Sequence, residues 1–298
     1  MGRQAHEAPG GQVDLGRQPI YQELHLFPQA AHPQLTRTST RLERAQRSIH
    51  RKLVPGDQAL NEAPCRLICF PHAGGAASFF RDWADLVPDD MDLAAVRYPG
   101  REDRFLDPPP ASMADLADPV AHACLASGDV PLVFFGHSMG AAVAYEVALR
   151  MQSAGSSRLT DLFVSGSAAP GRSSSSRDPL TMTDAEILEE VAELGGADAN
   201  TLADQELWEL LIPSIRADYR LIGRYRAAFS ATAPLDVPMV AYYGRADRDV
   251  DAASVAAWAD ATSSTFAMRS FDGGHFYLKD HAPGLVADLL GRRAPFHE

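Results

Sequence analysis

Five consecutive residues, Gly136-His137-Ser138-Met139-Gly140, constrain this chain more than any others. They directly follow the apolar run Pro131–Phe135 and directly precede the helical pattern Ala141–Met151. A serine between a buried strand and a helix sits on a sharp turn, with strained backbone and its oxygen lifted above the sheet. Glycine is needed at both ends because a Cβ there would strike the neighbouring strand or helix. The bare pattern is common; the strand–turn–helix context makes it specific. Such a turn also needs a sheet, and the chain supplies one. Apolar runs of buried-strand type lie at Arg66–Phe70, Leu93–Tyr98, Leu132–Phe135, Leu162–Ser165, Met239–Tyr243 and Thr265–Phe271. Helical stretches at 112–127, 139–152, 184–195, 204–227 and 251–260 alternate with them. That alternation predicts an α/β fold with a mostly parallel sheet flanked by helices.

About seventy residues separate the strand ending near Gly166 from the one starting at Met239, too many for a single crossover. They predict an inserted helical lid at about 172–234, opening with the loop Arg172–Arg177 and its four consecutive serines. In the longer lid helix Trp208, Leu211, Ile215, Tyr219 and Ile222 recur every three or four residues. A stripe of this kind usually packs in a core. Over the C-terminal edge of an α/β sheet, where sites lie, it would line an acyl pocket. Pro213 is expected to start or kink a helix.

A serine hydroxyl is a weak nucleophile until a base takes its proton. On this kind of turn the acid and then the histidine follow the serine in chain order. Gly273-Gly274-His275, just past the last strand, places a histidine on a sharp turn, so His275 is the expected base. Of the other histidines, His137 is expected to direct its ring away from the serine, and His122 lies in a helical stretch. The penultimate strand ends in Gly244-Arg245-Ala246-Asp247-Arg248-Asp249. Both aspartates qualify as the acid; Asp247, three residues past the glycine, is preferred, which leaves Asp249 as a loop carboxylate. After the first strand, Phe70-Pro71-His72-Ala73-Gly74-Gly75 can direct backbone N–H groups at a developing oxyanion. The expected donors are the N–H groups of Ala73 and Met139. No Gly-Lys-Ser/Thr follows, which argues against a phosphate cradle. His72 could be a second base, but is expected to shape the loop through a hydrogen bond.

Composition narrows the partners. A formal charge of −12 disfavours nucleic acid. No apolar run approaches the ~20 residues of a membrane helix, and the first thirty residues lack a secretory core. Cys65, Cys69 and Cys124 have no zinc-ligand spacing. A cytoplasmic protein is expected. Residues 1–60 carry eight Lys/Arg against five Asp/Glu, opposite in sign to the rest, and are broken by Pro9, Pro19, Pro28 and Pro33. They are expected to be a disordered N-terminal extension, with the folded domain at 61–298. One amphipathic stretch, Leu42, Ala45, Ile49 and Leu53, is too short to be a stable helix alone, so residues before Val54 are expected to be dispensable.

Four motifs in order, Phe70-Pro71-His72-Ala73-Gly74-Gly75, Tyr98-Pro99-Gly100-Arg101-Glu102, Gly136-His137-Ser138-Met139-Gly140 and Gly273-Gly274-His275-Phe276, resemble the type II thioesterases. These are the free-standing editing enzymes of polyketide and nonribosomal peptide assembly lines. The resemblance covers about residues 64–291, with Leu194-Gly195-Gly196 and Leu202–Tyr225 similar to the family's lid, and nothing carries over to 1–60. It implies an α/β-hydrolase fold, Ser138, Asp247 and His275 as a triad, and a bacterial cytosolic setting. The implied substrates are acyl groups on the phosphopantetheine arm of an acyl or peptidyl carrier protein, and no cofactor or metal is required. Arg101 caps a turn or, with Arg104, could meet the arm's phosphate. The alternatives are a carboxylesterase or lipase acting on oxygen esters, and a non-catalytic scaffold that binds carrier domains. Possession of all three reactive groups argues against the scaffold.

Overall fold

A strand that is apolar at every position must be covered on both faces, and so belongs inside a sheet. Cys65–Phe70 (β1) and Leu132–His137 (β3) come close to this, with Arg66 and His137 as the polar exceptions, and both are buried throughout. In the computed structural model, which describes residues 65–172, 177–196, 204–230 and 233–292, they lie side by side. With Met91–Ala95 (β2), Leu159–Ser165 (β4), Met239–Gly244 (β5) and Phe266–Phe271 (β6) they form one sheet in the order β2-β1-β3-β4-β5-β6. Every neighbouring pair is parallel. The edge strand β6 is only partly buried.

Helices Met113–Ala126 (α1) and Met139–Ser153 (α2) cover one face, where Leu116, Val143, Val147, Leu162 and Trp258 pack. Helix Ala282–Arg292 (α6) and the 3₁₀ segment Ala77–Asp85 cover the other, over Phe80, Trp83, Phe135, Phe163 and Leu285. A short helix, Ala252–Ala256 (α5), follows β5. The insertion after β4 contains Asp184–Leu194 (α3) and Gln205–Ala228 (α4). A small separate cluster of Met182, Ile187, Ile212 and Ile215 joins them. Thr183 and Glu186 start α3 with a reciprocal capping box.

The chain leaves β1 for β2 on one side and returns to β3 on the other. That reversal opens a crevice at the C-terminal ends of β1 and β3, where ligands of such sheets bind.

Three expectations shift. β2 runs Met91–Ala95 rather than Leu93–Tyr98, because Val96 and Tyr98 are buried beyond the ladder, where β1 has reached Pro71. α4 passes through Pro213 instead of starting there. Pro213 and Glu209 are both exposed, so the carbonyl that loses its partner is on the solvated side. Ile222 leaves the lid stripe and joins the main core. Residues 1–60, expected as a disordered extension, lie outside the described residues, as do 173–176 of the serine loop.

Candidate active site

The strain expected at the serine turn is present. Ser138 has φ +55° and ψ −120°, a conformation that non-glycine residues rarely hold. Its N–H donates to the Ser165 carbonyl at 2.7 Å, and its carbonyl accepts from Ala141 at 3.0 Å. The flanking glycines are sterically required: a Cβ at Gly136 would lie 2.3 Å from the Gly140 carbonyl oxygen, and one at Gly140 only 2.0 Å from that of Phe70.

A second close approach brings together the expected base and acid, His275 and Asp247. At Gly244 a Cβ would meet the Gly274 carbonyl oxygen at 2.2 Å, so the loops after β5 and β6 can touch only because this residue is glycine. Across them His275 Nδ1 and Asp247 Oδ2 are 2.8 Å apart, with both side chains buried. Asp247 Oδ1 accepts the Asp249 N–H at 2.9 Å, so each carboxylate oxygen has a partner. The carboxylate bonded to His275 is that of Asp247. Asp249 lies close enough to Glu190 on α3 to push the pKa of that carboxyl up, after burial.

Ser138, His275 and Ala73 line one cavity of about 270 Å³. Val191 and Leu194 of α3 and Trp208, Leu211, Ile215 and Tyr219 of α4 form its roof, as the lid stripe implied. Met139 begins α2, where the first N–H groups have no helical partner.

One histidine, His72, behaves differently from expectation, and a second, His137, has a support role. His72 is buried edge-on between Phe79 and Phe276, 4.7 Å from each, and its Nδ1 has no hydrogen-bond partner. It therefore shapes the loop by packing, over a glycine (Gly75) whose Cβ would sit 2.7 Å from its ring. Burial, and then the charges of His275, Lys279 and Arg101, push its pKa down to about 3. The His137 ring lies 5.0 Å from that of His275. Its Nδ1 is 3.0 Å from Ser165 Oγ, which is 2.7 Å from the Tyr277 hydroxyl. Burial holds His137 well below the ordinary histidine range. Nothing local in the sequence signals this support.

Both arginines are engaged within the protein, Arg101 at the turn as expected. Arg101 is buried, pairs with Asp218 of α4, donates to the Pro99 carbonyl at 2.8 Å, and stacks on Tyr98 with 5.2 Å to the ring centroid. Arg104 pairs with Asp107 at 2.7 Å and donates to the Arg97 carbonyl at 2.9 Å. The cation on the cavity wall is Lys279, which donates to the Gly195 carbonyl at 2.8 Å.

A parallel sheet in this order, with a strained serine between β3 and α2 and a carboxylate and a histidine after β5 and β6, defines an α/β hydrolase. A model of the thioesterase domain matches residues 65–292, and the chain belongs to that family. It is a hydrolase of thioesters. Among similar proteins, thioesterase PikA5 of Streptomyces venezuelae is 38% identical over 227 residues, 75% of this chain and 79% of that protein. The type II thioesterase BorB from the borrelidin biosynthetic cluster superposes with a TM-score of 0.69 at 36% identity, covering 76% of this chain and 91% of that one. YbtT, a type II thioesterase from the yersiniabactin NRPS/PKS pathway, gives 0.70 at 31%, covering 78% and 94%.

Proposed function

We propose that this enzyme hydrolyses acyl thioesters carried on the phosphopantetheine arm of acyl or peptidyl carrier proteins in polyketide or nonribosomal peptide synthesis. The observation that carries the reading is the buried 2.8 Å His275–Asp247 pair beside a strained serine, under an apolar roof. Ser138 Oγ attacks the thioester carbonyl while His275 Nε2 takes its proton, and Asp247 fixes the tautomer and stabilises the imidazolium. The N–H groups of Ala73 and Met139 receive the oxyanion. The tetrahedral intermediate breaks its C–S bond and the sulfur takes the proton from the His275 imidazolium, leaving as a thiol whose ordinary pKa near ~8.5 makes it a better leaving group than an alkoxide. Water, deprotonated by His275, then attacks the acyl-serine; the C–Oγ bond breaks, the imidazolium returns the proton to Ser138 Oγ, and the acid is released. His137, held neutral next to His275, adds no second positive charge to oppose the imidazolium. Protein groups and water complete every proton transfer.

The roof favours apolar acyl groups, and a lidded cavity suits a slender arm better than a bulky ester. An arm delivered by a carrier protein brings extra binding contacts that can serve orientation at the carbonyl. The test is mass spectrometry of a panel of acyl-carrier proteins incubated with the enzyme. Loss of the acyl mass from the carrier, with a higher kcat/KM than for the same acyl group on a small thiol, is expected. Equal efficiency on both, or preference for oxygen esters, would favour the esterase alternative; carrier binding without turnover would favour the scaffold.

A further inference from the structure

The loop His72-Ala73-Gly74-Gly75 is a turn closed by the Gly75 N–H on the His72 carbonyl at 2.9 Å. A peptide's N–H and C=O point in opposite directions, so this bond turns the Ala73 N–H outward from the turn. The next peptide is held from outside the loop. The Gly74 N–H donates to Asp218 Oδ2 at 2.7 Å, across 144 residues of chain. The same oxygen accepts from Arg101, and both side chains of this ion pair are almost wholly buried. One helical turn before Asp218, Ile215 rests on Gly74, where a Cβ would come 2.7 Å from Ile215 Cγ1 and φ is +72°. Helix α4 therefore grips the loop at two points three residues apart, once by charge and once by contact.

We propose that Asp218, braced by Arg101, is a positioning residue for the oxyanion loop, so that the Ala73 N–H is aimed at the substrate carbonyl only while α4 is seated. The lid helix is then part of the catalytic apparatus as well as a wall of the acyl pocket. This rests on the reading of Ala73 as an oxyanion donor, and the experiment separates the two. With both peptides of the turn fixed, the donor needs no reorganisation as charge develops. Without Asp218 the Gly75 bond and the Ile215 contact remain, but no hydrogen bond holds the Ala73–Gly74 peptide against rotation.

The test combines kinetics on a small acyl thioester with two ligands. An acyl trifluoromethyl ketone adds Ser138 to form a hemiketal oxyanion; an unreactive thioether analogue forms none. Asp218→Ala is expected to lower kcat roughly 10²-fold, the scale of a 1 Å misplacement, with little change in KM. Ketone affinity should fall in parallel, while thioether affinity stays at the wild-type value. Asp218→Asn keeps an oxygen but loses the charge, and a loss of about tenfold in kcat and ketone affinity is expected, because charged hydrogen bonds are roughly twice as strong as neutral ones. Because Asp218→Ala leaves Arg101 buried and unpaired, the double variant Arg101→Met/Asp218→Leu removes both charges and should stay folded. It should show the same selective loss. Wild-type kcat and ketone affinity in a folded double variant, or in Asp218→Asn should the others fail to fold, overturn the proposal. Failure of the ketone to inhibit the wild-type enzyme would instead sink the serine mechanism.

Discussion

The floor and the roof of the cavity are held by different forces. In the floor, backbone meets backbone: the turns carrying Ser138 and His275 approach other strands or loops so closely that a Cβ at Gly136, Gly140 or Gly244 would come within 2.0–2.3 Å of a carbonyl oxygen. In the roof, side chain meets side chain. Four buried residues join α3 to α4, and the exposed Leu207 and Leu210 lie beside the cavity-lining Trp208 and Leu211. A close-packed backbone has one arrangement, whereas a side-chain contact tolerates exchange of volume. On the proposed mechanism the floor would fix the chemistry, and the roof is the part in which acyl preference would vary.

Breaking the floor's chemistry while sparing its packing should give the largest effect. Ser138→Ala keeps a small side chain on the turn and should leave the melting temperature little changed. Turnover should fall by as much as about 10⁶-fold, the scale for loss of a nucleophile from a unit that acts together. Near wild-type hydrolysis by the purified variant would end the serine reading.

Next comes the acid. Asp247→Asn should lower turnover by about 10³–10⁴, since the amide stabilises the wrong imidazole tautomer. Asp249→Asn should cost far less, because the carboxylate bonded to His275 is that of Asp247, while Asp249 lies close to Glu190 of the roof. The reverse ranking would move the acid to Asp249.

In the roof, Trp208→Ala enlarges the cavity proposed to hold the acyl group and leaves Ser138, Asp247 and His275 in place. Steady-state kinetics over a series of acyl lengths should show the optimum moving to longer or branched groups. A short acyl group should lose about tenfold in kcat/KM, in line with a few methylene-sized contacts. An unchanged length profile would mean that the substrate does not reach α4.

The contrast also explains what the sequence reveals. The floor depends on local rules: a serine between glycines at a strand–helix joint, apolar runs for β1 and β3, and Gly273-Gly274 before His275. The chain order of these groups leads to the Asp247–His275 contact. The roof and the supports depend on partners far along the chain. Arg101 meets Asp218 across 117 residues, and Ser165 meets Tyr277 across 112. No periodicity or short motif marks such pairs, so Arg101 reads as a turn cap and His137 as a bystander. Pro213 reads as a helix start or kink because sequence does not tell which side of α4 faces water.

The smallest effect separates floor from roof by the sign of a pH response. His72 and His137 in the floor are neutral in the folded protein, with burial as the main cause; the pKa of His72 is lowered from 6.5 to about 3. Above pH 6.5 these histidines are neutral whether folded or unfolded and contribute no difference. Below it the unfolded chain takes up protons that the folded one refuses. Stability is therefore lost as pH falls from 6.5 toward 3, by about 1 kcal/mol per pH unit for each such histidine. In the roof, Glu190 is pushed up by burial first and then by Asp249, against the 2.8 Å pair with Arg177; Glu193 also faces it. Here the folded form binds the proton more tightly. Its contribution is complete below the ordinary glutamate pKa and is lost as pH rises through the raised value. Acid should thus loosen the floor while it tightens the contact between α3 and the Asp249 loop. Melting curves from pH 8 to 5 should show a falling wild-type midpoint below 6.5, a shallower fall in His137→Gln, and a steeper fall in Glu190→Gln, which lacks the opposing carboxyl. Equal slopes in all three proteins would remove the assigned protonation states from both floor and roof.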